Sequence, residues 1–379
     1  MKYGFAWQTE DAMNDFEWMQ EAMKEAAKGG WDVHPNPMVG AVIVKNGLEI
    51  GRGYHHGVGY PHAEIEALKD AQNRGNDVSG ATIYVTLEPC NHFGHTPPCS
   101  EALIKSGIAR CVMGPVDPNK KVKGGGLQRL QEAGMDCVSG LCEKELIELN
   151  APFFTRTSKN RPFITAKWAM TADGRTASKS GSSKWITGSQ AREDVHLERS
   201  KHDAIMAGTQ TILSDNPQLN VRLENGNYRQ PVRVILDRNL RIPLDFNVFD
   251  TSRQKTILFT STKNHDFSKY TDLGVTVETV NENVNGTGLD LMQVLSVLAD
   301  KYTFTTLYCE GGASLHGSLH DLNVIDQVHI YIAPKIIGGS ESRGCIFGNG
   351  IGNMSDATQF SFLDIKRIGD DIRLSARIL

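Results

Sequence analysis

Pro61-His62-Ala63-Glu64-Ile65-Glu66-Ala67-Leu68 and, further on, Ala81-Thr82-Ile83-Tyr84-Val85-Thr86-Leu87-Glu88-Pro89-Cys90 decide how this chain is read. The first stretch predicts the opening turns of a helix, with Pro61 suited to the first helical position. The second is rich in β-branched and aromatic residues and predicts a strand that ends at Cys90. Cys99 then opens Ser100-Glu101-Ala102-Leu103-Ile104-Lys105, a predicted helix closed by Ser106-Gly107.

These residue types suit one chemistry. The His62 imidazole and the Cys90 and Cys99 thiolates give three protein ligands to a tetrahedral zinc and leave a fourth position open to water. Zinc brings the pKa of such a water near neutrality, and a thiol at a helix N-terminus, as predicted for Cys99, ionises more readily. Glu64 is too close in sequence to His62 to be a comfortable fourth ligand. It is expected to take the water's proton and to pass protons to a ring nitrogen and to departing ammonia. The expected class is hydrolytic deamination. The spacing departs from the general deaminase pattern Pro-Cys-x-x-Cys, because residues 91–98 separate the two cysteines.

Outward from these stretches, the first domain reads as an alternating α/β unit. After a tail of about ten residues, residues 11–28 carry an amphipathic helical pattern with Ala12, Phe16, Met19, Met23 and Ala27 on one side. Met38-Val39-Gly40-Ala41-Val42-Ile43-Val44 predicts a strand, Lys45-Asn46-Gly47 a hairpin turn, and Glu49-Ile50-Gly51-Arg52-Gly53-Tyr54 the returning strand. Ala109-Arg110-Cys111-Val112-Met113-Gly114 and Asp136-Cys137-Val138 predict further strands, with helices on both faces of a mixed sheet. Residues 150–162 read as irregular, with prolines at 152 and 162, and a fresh strand starts at Phe163-Ile164-Thr165-Ala166-Lys167. The expected domains are 1–158 and 159–379.

The second half opens with Lys167-Trp168-Ala169-Met170-Thr171-Ala172-Asp173-Gly174-Arg175-Thr176-Ala177 and Ser183-Lys184-Trp185-Ile186-Thr187. Near its end, Tyr308-Cys309-Glu310-Gly311-Gly312-Ala313-Ser314-Leu315 predicts a strand, a Gly-rich turn and a helix. Backbone amides and the helix dipole in such a turn suit a dinucleotide phosphate. By itself the Gly311-Gly312 pair fits an ordinary turn as well, since the dinucleotide fingerprint Gly-x-Gly-x-x-Gly is absent.

Four motifs in order, His34-Pro35-Asn36-Pro37-Met38-Val39-Gly40, Gly53-Tyr54-His55, His62-Ala63-Glu64 and the run from Thr86 to Cys99, resemble the deaminase half of the bifunctional riboflavin-biosynthesis deaminase-reductases. In that family the long gap between the two cysteines is the rule. The opening of the second half, together with Ala207-Gly208-Thr209, Asp215-Asn216-Pro217, Leu219-Asn220-Val221-Arg222, Pro231-Val232-Arg233-Val234-Ile235-Leu236-Asp237 and Tyr331-Ile332-Ala333-Pro334-Lys335, resembles the reductase half. The resemblance implies an α/β protein with an N-terminal cytidine-deaminase-like α/β/α domain and a C-terminal dihydrofolate-reductase-like α/β domain. It implies a single zinc on His62, Cys90 and Cys99, catalysis by Glu64, a substrate pocket lined by Asn36 and His55, and an approach to substrate by Asp117-Pro118-Asn119.

For the second half it implies sugar-phosphate contacts from Ser183, Arg199, Leu219, Arg222 and Glu310. It also implies NADPH contacts from Ala169, Trp185, Thr211, Asp215, Arg238 and the run Gly312, Ala313, Ser314, Leu315, His316, Gly317 and Ser318. Guanidinium donors fit phosphate bidentately, which suits Arg199 and Arg222, and the Arg238 charge suits the extra phosphate of NADPH. Lys167 and Glu310 are expected in the substrate site beside the carbon that accepts hydride. The implied reactions are removal of the ring amino group of 2,5-diamino-6-ribosylamino-4(3H)-pyrimidinone 5′-phosphate and NADPH-dependent reduction of its ribosyl chain, giving 5-amino-6-ribitylamino-uracil 5′-phosphate.

Composition agrees with such an enzyme. At 379 residues the chain has room for two domains, and its formal net charge of −4 argues against a broad nucleic-acid surface. No long apolar run and no basic-then-apolar leader is present. Seven cysteines without an export signal suit a reducing cytoplasm, with Cys111, Cys137, Cys142, Cys309 and Cys345 as packing residues. The expected partners are the pyrimidine ribose phosphate and further copies of this chain, with neither nucleic acid nor membrane. Two rivals stand beside this reading: a base-editing deaminase with an appended nucleic-acid module, which needs a basic stripe, and a zinc-stabilised sensor, for which Glu64 is dispensable.

Overall fold

Alternate residues of the strands in the first unit, Met1–Lys159, face opposite sides of one sheet and so build two cores. The structure, a computed structural model, describes residues 13–92, 97–119, 125–224, 226, 228–262 and 266–379. Strands β1 (Gly40–Lys45) and β2 (Leu48–Tyr54) form an antiparallel hairpin across Asn46-Gly47. Strand β3 (Thr82–Val85) pairs antiparallel with β1, and β4 (Arg110–Met113) and β5 (Asp136–Val138) follow in parallel, in the order β2-β1-β3-β4-β5. Val42, Val44, Tyr84 and Val112 meet Met19 and Ala22 of α1 (Asp15–Ala27) on one face. On the other, Ile43, Ile83, Val85 and Met113 meet Ala67 of α2 (Ala63–Asn73), Leu103 of α3 (Cys99–Ser106) and Leu130 of α4 (Gly125–Glu132).

Three local expectations change. The buried face of α1 carries Trp18, Met19, Ala22 and Ala26, whereas Phe16 and Ala27 are exposed. Trp18 brings the largest apolar surface and stacks on Tyr84 with ring centroids 6.4 Å apart, which turns the helix away from the predicted stripe. Pro61 precedes its helix rather than starting it, because His62 is the N-cap of α2. The stretch read as irregular holds a helix: α5 (Glu143–Leu149) is followed by α6 (Ala151–Lys159). Pro152 sits in the first turn of α6, where a missing N–H forfeits no intrahelical bond. The N-terminal tail with Ala12, and residues 93–96 of the loop between the two cysteines, lie outside the described residues.

The second unit, Asn160–Leu379, is built on one sheet. Its strands are β6 (Phe163–Thr171), β7 (Ala204–Gly208), β8 (Val232–Leu236), β9 (Thr256–Thr260), β10 (Thr276–Thr279), β11 (Thr306–Cys309), β12 (Gln327–Ala333), β13 (Phe360–Ile368) and β14 (Asp371–Ile378). They lie in the order β10-β9-β8-β7-β11-β6-β12-β14-β13, parallel as far as β12 and antiparallel beyond it. Parallel pairing needs crossovers, supplied by α7 (Ser189–Ser200), α8 (Thr209–Asp215), α9 (Ser268–Thr271), α10 (Leu291–Asp300) and α11 (Ala313–Asp321). Both faces of β8 are therefore buried: Val234 and Leu236 join Ile164, Leu295 and Leu307, while Ile235 joins Ile212 and Phe249. Among the described residues no helix is long and apolar enough to cross a membrane.

Candidate functional site

In the first unit two helix N-termini and the loop after β3, a strand that stops at Val85 rather than at Cys90, bring the metal-ligating residue types together. His62 Nδ1 lies 3.3 Å from Cys99 Sγ and 3.5 Å from Cys90 Sγ. The ligand atoms of these three residues all fall within 4.8 Å of one another, a cluster able to hold a metal ion. The Cys99 backbone N–H donates to Cys90 Sγ at 3.4 Å and the Ser100 N–H to Cys90 O at 3.1 Å, so α3 begins against the loop that carries Cys90. A bond from the Cys99 thiol, seconded by one from His62, holds the Cys90 thiol below its usual range. Cys99, as the donor of that bond and through burial, is pushed up.

Glu64 occupies the first turn of α2 and is only 3 % exposed. Burial pushes its carboxyl up to about 7, with the Cys90 thiolate adding to the effect and His62 opposing it. A carboxyl poised near neutrality suits a group that must both take and give protons. Behind the cluster, burial keeps His55 neutral. Its Nδ1 lies 3.1 Å from Pro61 O and its Nε2 3.0 Å from Asn36 Nδ2. Neutral imidazole has one donor and one acceptor, so this pairing places the proton on Nδ1. His55 thereby braces the residue before His62 and meets that ring edge-on at 5.4 Å.

In the second unit a cavity of about 1750 Å³ opens at the carboxyl ends of the parallel strands, where ligands gather in open α/β sheets. Lys167, Ala169, Ser183, Trp185, Arg199, Thr211, Asp215, Leu219, Arg222, Arg238 and Glu310 all line it, as do Gly312, Ala313, Ser314, Leu315, His316 and Ser318 at the start of α11. Gly317 does not. A Cβ at that position would stand 1.9 Å from Phe347 O, so this glycine lets the chain at Phe347 lie against α11 instead of facing a ligand.

Arg199 is engaged differently from the expectation of a phosphate clamp. Its Nε and Nη2 donate to the two Glu310 oxygens at 2.5 and 2.8 Å, and its Nη1 donates to Asn220 O at 2.8 Å. The bidentate fork is thus spent on an internal carboxylate. Burial alone would raise Glu310, yet the Arg199 and Lys167 charges prevail and hold it at about 2. Lys167 Nζ lies 3.9 Å from Glu310 Oε2, and burial lowers its pKa. Arg222 is exposed and bonded to the side chains of Asn220 and Gln218. Arg238 donates to Gly286 O and lies 3.6 Å from Glu282 Oε2.

His196 is a cavity residue that sequence reasoning missed. Its Nδ1 stands 3.0 Å from Asn220 O. Burial, with the Arg199 and Arg222 charges, lowers it to about 4, so it stays neutral near pH 7. The available signal was its i,i+3 spacing to Arg199 on α7, which puts both on one helical face.

Comparison with known proteins supports both units. Residues 162–374 match the family model described as RibD C-terminal domain, and residues 13–115 match the cytidine and deoxycytidylate deaminase zinc-binding region. The chain is 41% identical over 365 residues to the riboflavin biosynthesis protein RibD of Actinobacillus pleuropneumoniae, covering 96% of this chain and 95% of that protein. Against RibD of Escherichia coli it is 39% identical over 373 residues, covering 96% and 99%. Acinetobacter baumannii RibD has a similar solved structure, with TM-score 0.83, 37% identity and coverage of 96% and 99%. The diaminohydroxyphosphoribosylaminopyrimidine deaminase/5-amino-6-(5-phosphoribosylamino)uracil reductase of Thermotoga maritima follows at TM-score 0.80 and 34% identity, with the same coverage.

Proposed function

The chain belongs to the RibD family of bifunctional riboflavin-pathway deaminase/reductases, and from that premise we propose the substrate, cofactors and division of labour of its two units. The first removes the ring amino group of 2,5-diamino-6-ribosylamino-4(3H)-pyrimidinone 5′-phosphate, and the second reduces the ribosyl chain with NADPH. The observation that carries the reading is the cluster of His62, Cys90 and Cys99 beside buried Glu64. One nitrogen and two sulfurs suit zinc with an open position. Zinc, when bound, supplies the Lewis acidity that makes water nucleophilic at neutral pH. Glu64 takes the proton of the attacking water and returns protons to the ring nitrogen and the leaving amine. His55 and Asn36 hold the approach to His62 in place.

In the second unit NADPH supplies the hydride, and the protein's task is orientation. The N-terminus of α11 presents backbone amides and its dipole to the cofactor phosphates. Arg222 takes the sugar phosphate. Glu310, kept ionised by Arg199, and neighbouring Lys167 hold the sugar hydroxyls beside the reduced carbon. A cytoplasmic setting keeps the Cys90 and Cys99 thiols reduced and free to ligate metal. Supplying the diamino substrate and identifying products by mass tests the whole reading. The deaminated ribosyl compound should accumulate only without NADPH, and the ribityl product should appear with it; NADPH oxidation that ignores the deaminated sugar phosphate sinks the reductase assignment.

The macromolecular partner we propose is a second copy of the chain, seated on β13. This edge strand leaves Phe360, Phe362, Leu363 and Ile365 exposed at 41, 54, 49 and 62 %, and an apolar edge of this kind calls for a cover. Asp364 and Lys366 flank Ile365, so two β13 strands paired antiparallel about that residue would set opposite charges across from each other. Sedimentation equilibrium at micromolar protein should report an oligomer, and a monomer refutes the assignment.

A further inference from the structure

Glu88 is a buried carboxylate, 3 % exposed, that the reactions above do not use. It follows β3 and stands two residues before Cys90. Its Oε2 accepts the Asp117 N–H at 3.1 Å, and its Oε1 accepts the N–H groups of Gly126 and Leu127, each at 3.0 Å. Asp117 lies in the connection from β4 to α4. Gly126 and Leu127 belong to the first turn of α4, where N–H groups lack intrahelical partners. The two oxygens of one side chain thus hold Asp117 and the start of α4 together.

Packing supports the same contact from the other side. A Cβ on Gly126 would stand 1.8 Å from Pro89 O, and one on Gly125 would lie 3.6 Å from Asn91 Cβ, so the start of α4 rests on the segment that carries Cys90. That segment has holds of its own. Glu88 N–H donates to Pro115 O at 3.2 Å, Ser100 N–H to Cys90 O at 3.1 Å, and Cys99 N–H to Cys90 Sγ at 3.4 Å. The side chain of Glu88 therefore holds Asp117 and the start of α4, while other bonds hold the segment that carries Cys90. Burial pushes the Asp117 carboxyl up to about 6, its bond from the Asn119 N–H opposing the effect.

We propose that Glu88 is a positioning residue of the deamination site: its carboxylate fixes Asp117 and the first turn of α4 against the segment that carries Cys90, without ligating metal or moving a proton. This rests on the deaminase reading of the metal-ligating cluster. Glu88→Gln keeps the size but turns one acceptor oxygen into a donor facing backbone N–H groups, leaving at least one of them unanswered. Zinc content and zinc affinity against a chelator should stay within about twofold, while KM for the diamino pyrimidine rises about tenfold and kcat falls less. Amide protection at Asp117, Gly126 and Leu127 should drop in hydrogen exchange. Gly126→Ala, which presses on Pro89 O with the carboxylate intact, should reproduce the KM rise. With normal wild-type turnover, an unchanged KM in Glu88→Gln overturns the proposal, as does loss of zinc in step with activity. A wild-type protein that releases no ammonia from the pyrimidine sinks the deaminase reading and this inference together.

Discussion

Glu64→Gln is expected to cut ammonia release from the diamino pyrimidine by about 10³–10⁴-fold while zinc content stays unchanged. Gln fills the same volume and still hydrogen-bonds, but it cannot exchange protons with water, ring nitrogen and amine. Folding should not suffer, because the wild-type carboxyl already bears a desolvation penalty that lifts it to about 7, and a neutral amide relieves that penalty. Given the deaminated pyrimidine, the variant should still oxidise NADPH at the wild-type rate, since Lys167, Arg199 and Glu310 belong to the other unit. Ammonia release, metal analysis and NADPH absorbance decide the matter. Undiminished deamination would remove Glu64 from the chemistry, and loss of zinc would make it a structural member of the cluster instead.

Arg199→Ala carries the second large effect. The Arg199 and Glu310 side chains are 11 and 10 % exposed, and removing the guanidinium strands a buried carboxylate. Breaking such a pair costs about 3–5 kcal/mol, to be read as a lowered midpoint for the second unit in denaturant. Reductase turnover should fall at least about 100-fold, because Glu310 loses both its charge support and its orientation. Arg222→Ala is expected to behave differently: an exposed arginine contacting the phosphate contributes binding felt equally by ground and transition states, so KM rises with kcat nearly unchanged. Matching kinetic profiles for the two variants would mean that both arginines clamp phosphate, and the Arg199–Glu310 bond would then be a resting arrangement.

The split between these arginines shows where sequence reasoning reaches its limit. His62, Glu64, Cys90 and Cys99 were legible because zinc chemistry demands those residue types and the local patterns around them are strong. The β1–β2 hairpin was legible for the same local reason. Arg199 and Glu310 lie 111 positions apart, and nothing in either neighbourhood says that the guanidinium will meet a carboxylate before it meets a phosphate. Gly317 looked like part of a phosphate loop, but its need for glycine arises from Phe347, which only the tertiary fold brings near. Helix α6 was hidden by Pro152, a residue that breaks helices everywhere except in the first turn. The buried face of α1 was set by Trp18 against Tyr84, again a partner remote in sequence. Glu88 was quoted as part of a strand ending, and its amide partners at Asp117, Gly126 and Leu127 were invisible until β4 and α4 took their places.

Strand β6 has a bearing on how the molecule is made. It is the first strand of its unit to be synthesised, yet it lies between β11 and β12, two of the last. Even the ion pair at its base joins residues 165 positions apart, Arg161 and Asp326. Sheets closed by such distant pairings fold slowly and leave apolar strands waiting. The first unit has its hairpin and its sheet neighbours close at hand, so it can be complete on the ribosome while Phe163-Ile164-Thr165-Ala166 is still without either flanking strand. A chain stopped short of β11 would therefore carry a finished first unit joined to an unpaired, sticky strand, and quality control in the cell would meet that strand before it met any catalyst.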